Sequence, residues 1–297
     1  CEHMLPAEII RQIRRLQLKA RRAVQDLLGG EYHSVFKGTG LSFEEVREYQ
    51  PGDDVRSIDW NVTARIGQPF VKRYVEERER TLILVTDVSA SQGFGTQRHS
   101  KRAVTAELAA LLSFCAIHNN DRVGLITFTD SVELFIPPGK GTRHALRLIR
   151  EILFGQARGK GTAVATALDF LQKVQRKRAI VFLMSDFLDA GFERPVRLVA
   201  RRHDLTLVRI EDPREHELPA VGLLQVEDAE TGRQFLIDTS SAALRARYAE
   251  EGRLRREAIA RMARGSSLDL IEVSTDGGHL DALVRYFERR EHRRRRR

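Results

Sequence analysis

Cysteine is nearly absent. Cys1 and Cys115 are the two in 297 residues, too few for a disulfide framework or a thiolate zinc site within one chain. This fits a reducing compartment. Long apolar runs are missing as well: none approaches the roughly 20 residues that a bilayer crossing needs. After Pro6 the apolar residues are interrupted by Arg and Lys instead of forming the core of a secretory signal. A cytoplasmic chain without a membrane span is expected. Cys1-Glu2-His3 ahead of Met4 reads as a cloning remnant. Cys115, in the apolar run of Leu111, Leu112 and Phe114, is expected to be an inert packed thiol.

Motifs of catalysis are also lacking. Lys140 and Lys160 each sit in Gly-Lys-Gly-Thr, and both copies fail the G-x-x-x-x-G-K-[ST] pattern of a phosphate-cradling loop. No G-x-S-x-G elbow accompanies Ser89 or Ser91. Ser89 stands where an Asp-Asp phosphoryl-transfer pair would need its second carboxylate. A non-enzyme is expected, with metal-dependent hydrolysis the least favoured reading for want of a general base.

What is present is the composition of a globular protein, 42% hydrophobic and 31% charged. The formal charge of +9 would suit an acidic partner such as nucleic acid. Much of it lies at the ends, however, in Arg11, Arg14, Arg15, Lys19, Arg21 and Arg22 and in the run Arg293 to Arg297. Such runs are usually solvated tails, so nucleic-acid binding through the termini is the second functional reading.

Four segments follow from the pattern. Residues 1–30 carry an amphipathic helix, Ala7 to Leu28, ended by Gly29-Gly30. Residues 31–79 are a loop and short-strand segment. There Asp53, Asp54, Arg56, Asp59 and Arg65 suggest a charge network pinning it to the core, with Trp60 as a packing anchor. Residues 80–212 alternate strands (Thr81 to Asp87, Arg122 to Phe128, Val132 to Ile136 stopped by Pro137-Pro138, Ala179 to Ser185, Leu205 to Ile210) with helices (Ser100 to Asn119, Thr142 to Leu153, Thr162 to Gln175, Arg194 to Arg202). Short, apolar, β-branched strands between amphipathic helices require an α/β fold, a mostly parallel sheet covered on both faces. Residues 213–297 add a hairpin about Glu230-Thr231-Gly232, a charged helix from Ala242, a strand from Leu268 to Val273, a short helix from Leu280 to Phe287 and the Arg tail.

Ligands of open parallel sheets bind outside the strands' carboxyl ends. Asp87, Ser89 and Ser91 follow the first core strand directly, Asp186 follows the strand ending at Ser185, and Thr162 follows a glycine-rich loop. Carboxylate and hydroxyl oxygens without imidazole or thiolate are the ligand set of a hard cation, Mg²⁺ first, with Mn²⁺ or Ca²⁺ as substitutes. Thr162 has a second possible role as a helix N-cap, and Thr166 lies close by as a substitute.

Asp-x-Ser-x-Ser after a buried strand, then Thr162, then Asp186, resembles the metal-ion-dependent adhesion site of von Willebrand factor A domains. The stretch from Arg47 to Trp60 (REYQPGDDVRSIDW), with Ala64-Arg65 and the segment to Glu79, resembles the bacterial family filed as domain of unknown function fifty-eight. That resemblance covers roughly Lys37 to Phe192. It implies a von Willebrand factor A-like core and metal ligation by Asp87, Ser89, Ser91, Thr162 and Asp186. It also implies a MoxR-type AAA+ ATPase as partner in protein assembly or remodelling, the metal taking an acidic side chain of the bound protein. Many relatives begin with membrane helices, and this chain departs from that pattern.

Overall fold

A computed structural model describes residues 6–24, 41–76, 79–96 and 99–295. The expected helix stop at Gly29-Gly30 and the last two arginines lie outside them. Contacts gather Phe36–Arg80 into one compact unit and the rest of the chain into another.

In the small unit, β1 (Leu41–Glu48) and β2 (Phe70–Glu76) pair antiparallel. Between them the acidic residues have local work. Arg47 grips Asp53 through two bonds of 2.9 and 2.7 Å, Asp54 caps a short turn through Arg56 N–H, and Asp59 caps the Trp60–Ile66 helix through the N–H groups of Asn61 and Val62. Asp59 also faces Lys72 at 3.3 Å. Trp60 is not an anchor. It is 68% exposed, because the seven-residue helix that it opens buries none of its residues and is too short to present an apolar stripe.

The large unit is built on six strands: β3 (Thr81–Asp87), β4 (Arg122–Phe128), β5 (Val132–Gly139), β6 (Ile180–Ser185), β7 (Asp204–Glu211) and, after the hairpin β8 (Leu223–Glu227) and β9 (Gln234–Asp238), β10 (Asp269–Ser274). They lie in the order β10-β7-β6-β3-β4-β5. All neighbours are parallel except β4 and β5. The α/β class and the mostly parallel sheet are as the sequence pattern requires. Both faces are covered. Ile83, Val85, Val181 and Leu183 pack with Val164, Leu168, Val196, Val199 and Ile259 of three helices on one side. Leu82, Leu84 and Phe182 alternate to the other, which the Lys101–His118, Thr142–Phe154 and His279–Arg295 helices cover; there Phe182 meets Tyr286 edge to face at 5.9 Å. Cys115 is buried on this side, and burial pushes its thiol up to about 12, so it is inert.

Two further expectations need correction. Pro137-Pro138 does not stop its strand; β5 runs on to Gly139. It is an edge strand, and the two prolines form a bulge opposite Gly124, where no ladder N–H is required of them. A Cβ at Gly124 would lie 3.2 Å from both Ile136 O and Pro138 Cγ, which explains the glycine. The final helix reaches Arg295 rather than ending at Phe287. Arg290 reaches both Asp204 oxygens at 2.6 Å and Arg293 reaches Asp269 at 2.7 Å, so ion pairs extend it past the apolar stretch. Arg293 of the basic run is therefore engaged with the sheet's own acids.

The first and last described helices meet on the Lys101–His118 helix. Glu107 accepts from Lys19 at 2.5 Å and pairs with His279 Nε2 at 2.6 Å. Its burial would raise the carboxyl, but these two partners outweigh that and hold it down at about 2. No helix among the described residues is long and apolar enough to cross a membrane.

Leu183 is fully buried in β6. Leu183→Ala is expected to lower stability by about 2–5 kcal/mol, read as a lower urea midpoint with an unchanged slope.

Candidate metal centre

The chain crosses from β3 to β4 on one side of the sheet and from β6 to β7 towards the other. The carboxyl ends of β3 and β6, which are neighbours, therefore open a crevice between diverging loops, the place where doubly wound sheets bind ligands. Asp87 closes β3 and Asp186 follows β6.

Four of the five expected residues meet there. Asp87 Oδ1 accepts from Ser89 N–H at 2.9 Å, and its Oδ2 accepts from Ser185 Oγ at 2.8 Å. Ser89 Oγ lies 3.0 Å from Ser91 Oγ, which donates to Asp186 Oδ2 at 3.0 Å. The same Asp186 oxygen accepts from Lys101 Nζ at 2.7 Å and Gln92 Nε2 at 3.3 Å. Phe187, just beyond, holds a left-handed φ of 55°. For a bulky residue this stores strain, which its buried ring, 5.6 Å from that of Phe192, retains.

The electrostatics are those of two acids short of positive charge. Asp87 is 1% and Asp186 4% exposed. Burial first, and the charge of Asp186 second, push Asp87 up to about 6. Burial alone would lower Lys101, yet Asp186 and Glu215, 2.5 Å away, hold its ammonium above the ordinary lysine value. One buried cation thus serves two carboxylates, and Asp87 has none of its own among the described contacts.

Thr162 stands apart from this chain of bonds. The helix expected from Thr162 starts at Val164 instead, and its first free N–H is taken by Asp189 Oδ2 at 2.9 Å, so Thr162 is not the cap. Its hydroxyl donates to Glu230 at 3.3 Å. Its loop nevertheless reaches the site, because Ala90 N–H donates to Lys160 O at 3.2 Å. Glu133 shapes that loop by accepting from Arg158 and Gly159 N–H. A Cβ at Gly159 would fall 2.3 Å from Thr129 Oγ1 and Asp130 Oδ1, so the close approach needs glycine.

The sequence pattern missed Ser185, Gln92, Lys101, Glu133 and Glu230. A hydroxyl at the end of the apolar run before Asp186 was the one available signal. Lys101, at a helix start beside Arg102, gives no local sign of burial.

The profile described as "Protein of unknown function DUF58" matches residues 45–258. The chain belongs to the DUF58 family. Uncharacterized protein Rv1480 of Mycobacterium tuberculosis is 34% identical over 283 residues, 94% of this chain and 88% of that one. YeaD of Bacillus subtilis is 28% identical over 107 residues, 36% of this chain and 25% of that one. Among solved structures, a conserved hypothetical protein BatB from Bacteroides thetaiotaomicron is 15% identical, covering 71% of this chain and 98% of that chain at a TM-score of 0.44. The SpRpn10 VWA domain is 13% identical, covering 69% and 93% at 0.39. Such likeness concerns fold alone.

In this DUF58 chain the donor set fits a small divalent ion. Among the described residues no group of three or more His, Cys, Asp and Glu could hold a metal, so an ion between Asp87 and Asp186 would need hydroxyl ligands as well. The two 3.0 Å oxygen separations along Ser89, Ser91 and Asp186 match the edge, about 2.9 Å, of an octahedron with ligands at about 2.0–2.1 Å, the Mg²⁺ geometry. Gln92 Oε1, buried beside Asp186, has no hydrogen-bond partner.

A protonated Asp87 stabilises the chelated protein fully below about pH 4, its unfolded value, and that contribution is lost as the pH rises through about 6. Asp87→Asn should therefore raise stability in chelator at pH 7, on the order of 3 kcal/mol, and flatten its fall between pH 4 and 6. Urea titrations across that range check it; an unchanged pH profile contradicts it.

Proposed function

We propose that this chain is a non-catalytic protein-binding module in which Asp87, Ser89, Ser91 and Asp186, with Thr162 from the adjoining loop, hold Mg²⁺. The continuous run of oxygens from Asp87 through Ser89 and Ser91 to Asp186, in a crevice at the strand ends, carries this reading. Mn²⁺ or Ca²⁺ would use the same oxygens. A divalent ion held there supplies an open coordination position to a carboxylate of another protein.

The chain's own groups suit binding better than turnover. Each carboxylate is engaged by hydroxyl, amide or ammonium donors, and the two serine hydroxyls bond to one another. Among the described residues no imidazole joins that network, and the carboxylate that Ser91 faces, Asp186, is itself held by Lys101. Lys101 holds Asp186 in place, and Ser185 orients Asp87. The family resemblance makes a MoxR-type AAA+ ATPase the first partner to test, with this chain as adaptor or co-chaperone in protein assembly or remodelling. A nucleic-acid role gains no support from the basic end, where Arg290 and Arg293 are paired with acids of the sheet.

Calorimetric Mg²⁺ titration of the wild type against Asp87→Ala is the direct test, with binding expected to weaken at least about tenfold. Equal binding by the two sinks the metal assignment. Chelator and Ser89→Ala are each expected to reduce capture of a MoxR-type ATPase by the immobilised protein, and capture indifferent to both removes the metal from the interaction. Lys101→Met, which strips two acids of their shared cation, is expected to cost about 3–5 kcal/mol of stability, measured by urea unfolding.

A further inference from the structure

A hollow of about 330 Å³, its open mouth included, adjoins the crevice at Asp186 and extends to the Ala242–Gly265 helix. That helix turns Gly252, Arg255, Arg256 and Ile259 to it, the spacing of one helical face. Gly252 and Ile259 are buried at the two ends of this stripe, and Arg255 and Arg256 are exposed between them. A Cβ at Gly252 would lie 3.1 Å from His216 Nδ1, so glycine lets the helix come close to the segment after β7. Apolar surface comes from Phe187 and Ile259, both buried, and from Leu188, which is 55% exposed.

The three acids in the wall are already engaged. Asp186 and Glu215 share Lys101, and Glu211 pairs with Arg209 and His216. Along the helix, Glu250 is taken by Arg253, Glu251 by Arg247, and Glu257 by Arg253 and Arg261. Arg255 and Arg256 make no ion pair or side-chain hydrogen bond among the described residues. Two uncommitted guanidiniums thus border a partly apolar hollow beside the crevice.

We propose that this hollow is a second, metal-independent site for an acidic peptide, in which Arg255 and Arg256 bind the carboxylate of an Asp or Glu side chain and Phe187, Leu188 and Ile259 take the apolar atoms next to it. This rests on the protein-binding reading above and not on the metal. A guanidinium presents paired N–H donors that match a carboxylate in its plane. Glu211, Glu215 and Asp186 in the wall repel a phosphate dianion more than a single carboxylate, and an aliphatic stem suits the apolar lining. A peptide held here adjoins the crevice at Asp186, so hollow and crevice face the same partner segment.

The test uses the full chain in chelator, where no ion contributes. The probes are acetyl-Ala-Leu-Glu-Leu-Ala-amide, the same peptide with Gln in place of Glu, and inorganic phosphate, each titrated while backbone amide signals are followed by NMR. The Glu peptide is expected to shift Leu188, Arg255 and Arg256 saturably. The Gln peptide, which lacks the charge-assisted bonds, is expected to bind at least about tenfold more weakly, and phosphate more weakly than the Glu peptide. The double variant Arg255→Gln with Arg256→Gln is expected to lose at least about tenfold in affinity for the Glu peptide, while Arg253→Gln, whose pairs lie along the same helix, keeps it. Circular dichroism and the unfolding midpoint of the double variant should match wild type, since neither side chain holds another group. No binding of the Glu peptide, equal binding of the Gln peptide, unchanged affinity in the double variant or tighter binding of phosphate each overturns the proposal. Capture of the ATPase with no peptide bound here removes the hollow and leaves the protein-binding reading standing; peptide bound here by a chain that captures no ATPase sustains the hollow and removes that partner.

Discussion

Two carboxylates buried side by side at the ends of adjacent strands are the constraint around which the large unit is organised. An ionised acid out of water must be met by donors or a cation, and Asp87 and Asp186 draw theirs from separate parts of the chain. Ser185 comes from the neighbouring strand, Ser89, Ser91 and Gln92 from the turn after β3, and Lys101 from the helix that follows. Each donor fixes the element that carries it. The turn after β3, the start of the Lys101–His118 helix and the strained Phe187 are held in place by the same two acids.

A second tier of acids holds the loops that approach this centre. Glu133 gathers the backbone of Arg158 and Gly159, and Asp189 caps the helix that begins at Val164. Both keep the glycine-rich loop near Ala90 without taking part in the oxygen run. The segment after residue 212 is equally bound into the unit. It supplies β10 as the sheet's last strand, Glu215 as the second partner of Lys101, and Glu230 on the β8–β9 hairpin. What reads along the chain as an appendage is, in space, part of the core and of the site's rim.

The small unit shows the same economy on a local scale. Asp53, Asp54 and Asp59 each fix a nearby residue or cap a turn or helix, so its dense charge is largely committed to its own shape. Exposed pairs of this kind contribute little individually, but caps and a bidentate Arg-carboxylate pair select one backbone path among many.

The sequence by itself determined the fold class, since β-branched strands separated by amphipathic helices leave a covered parallel sheet as the way to bury both strand faces. It also determined that Asp87, Ser89, Ser91 and Asp186 would share a sheet edge, because each sits at or just beyond the end of a strand and strand polarity sends those ends to the same side. Only the tertiary structure decided what lay at long separation. Lys101 finding Asp186, Thr162 turning to Glu230 rather than capping its helix, and β5 running through two prolines all depend on which elements become neighbours. Local periodicity reports which face of an element is apolar; it carries no record of the strand order that brings residue 101 beside residue 186, or of the hairpin that brings residue 230 to residue 162.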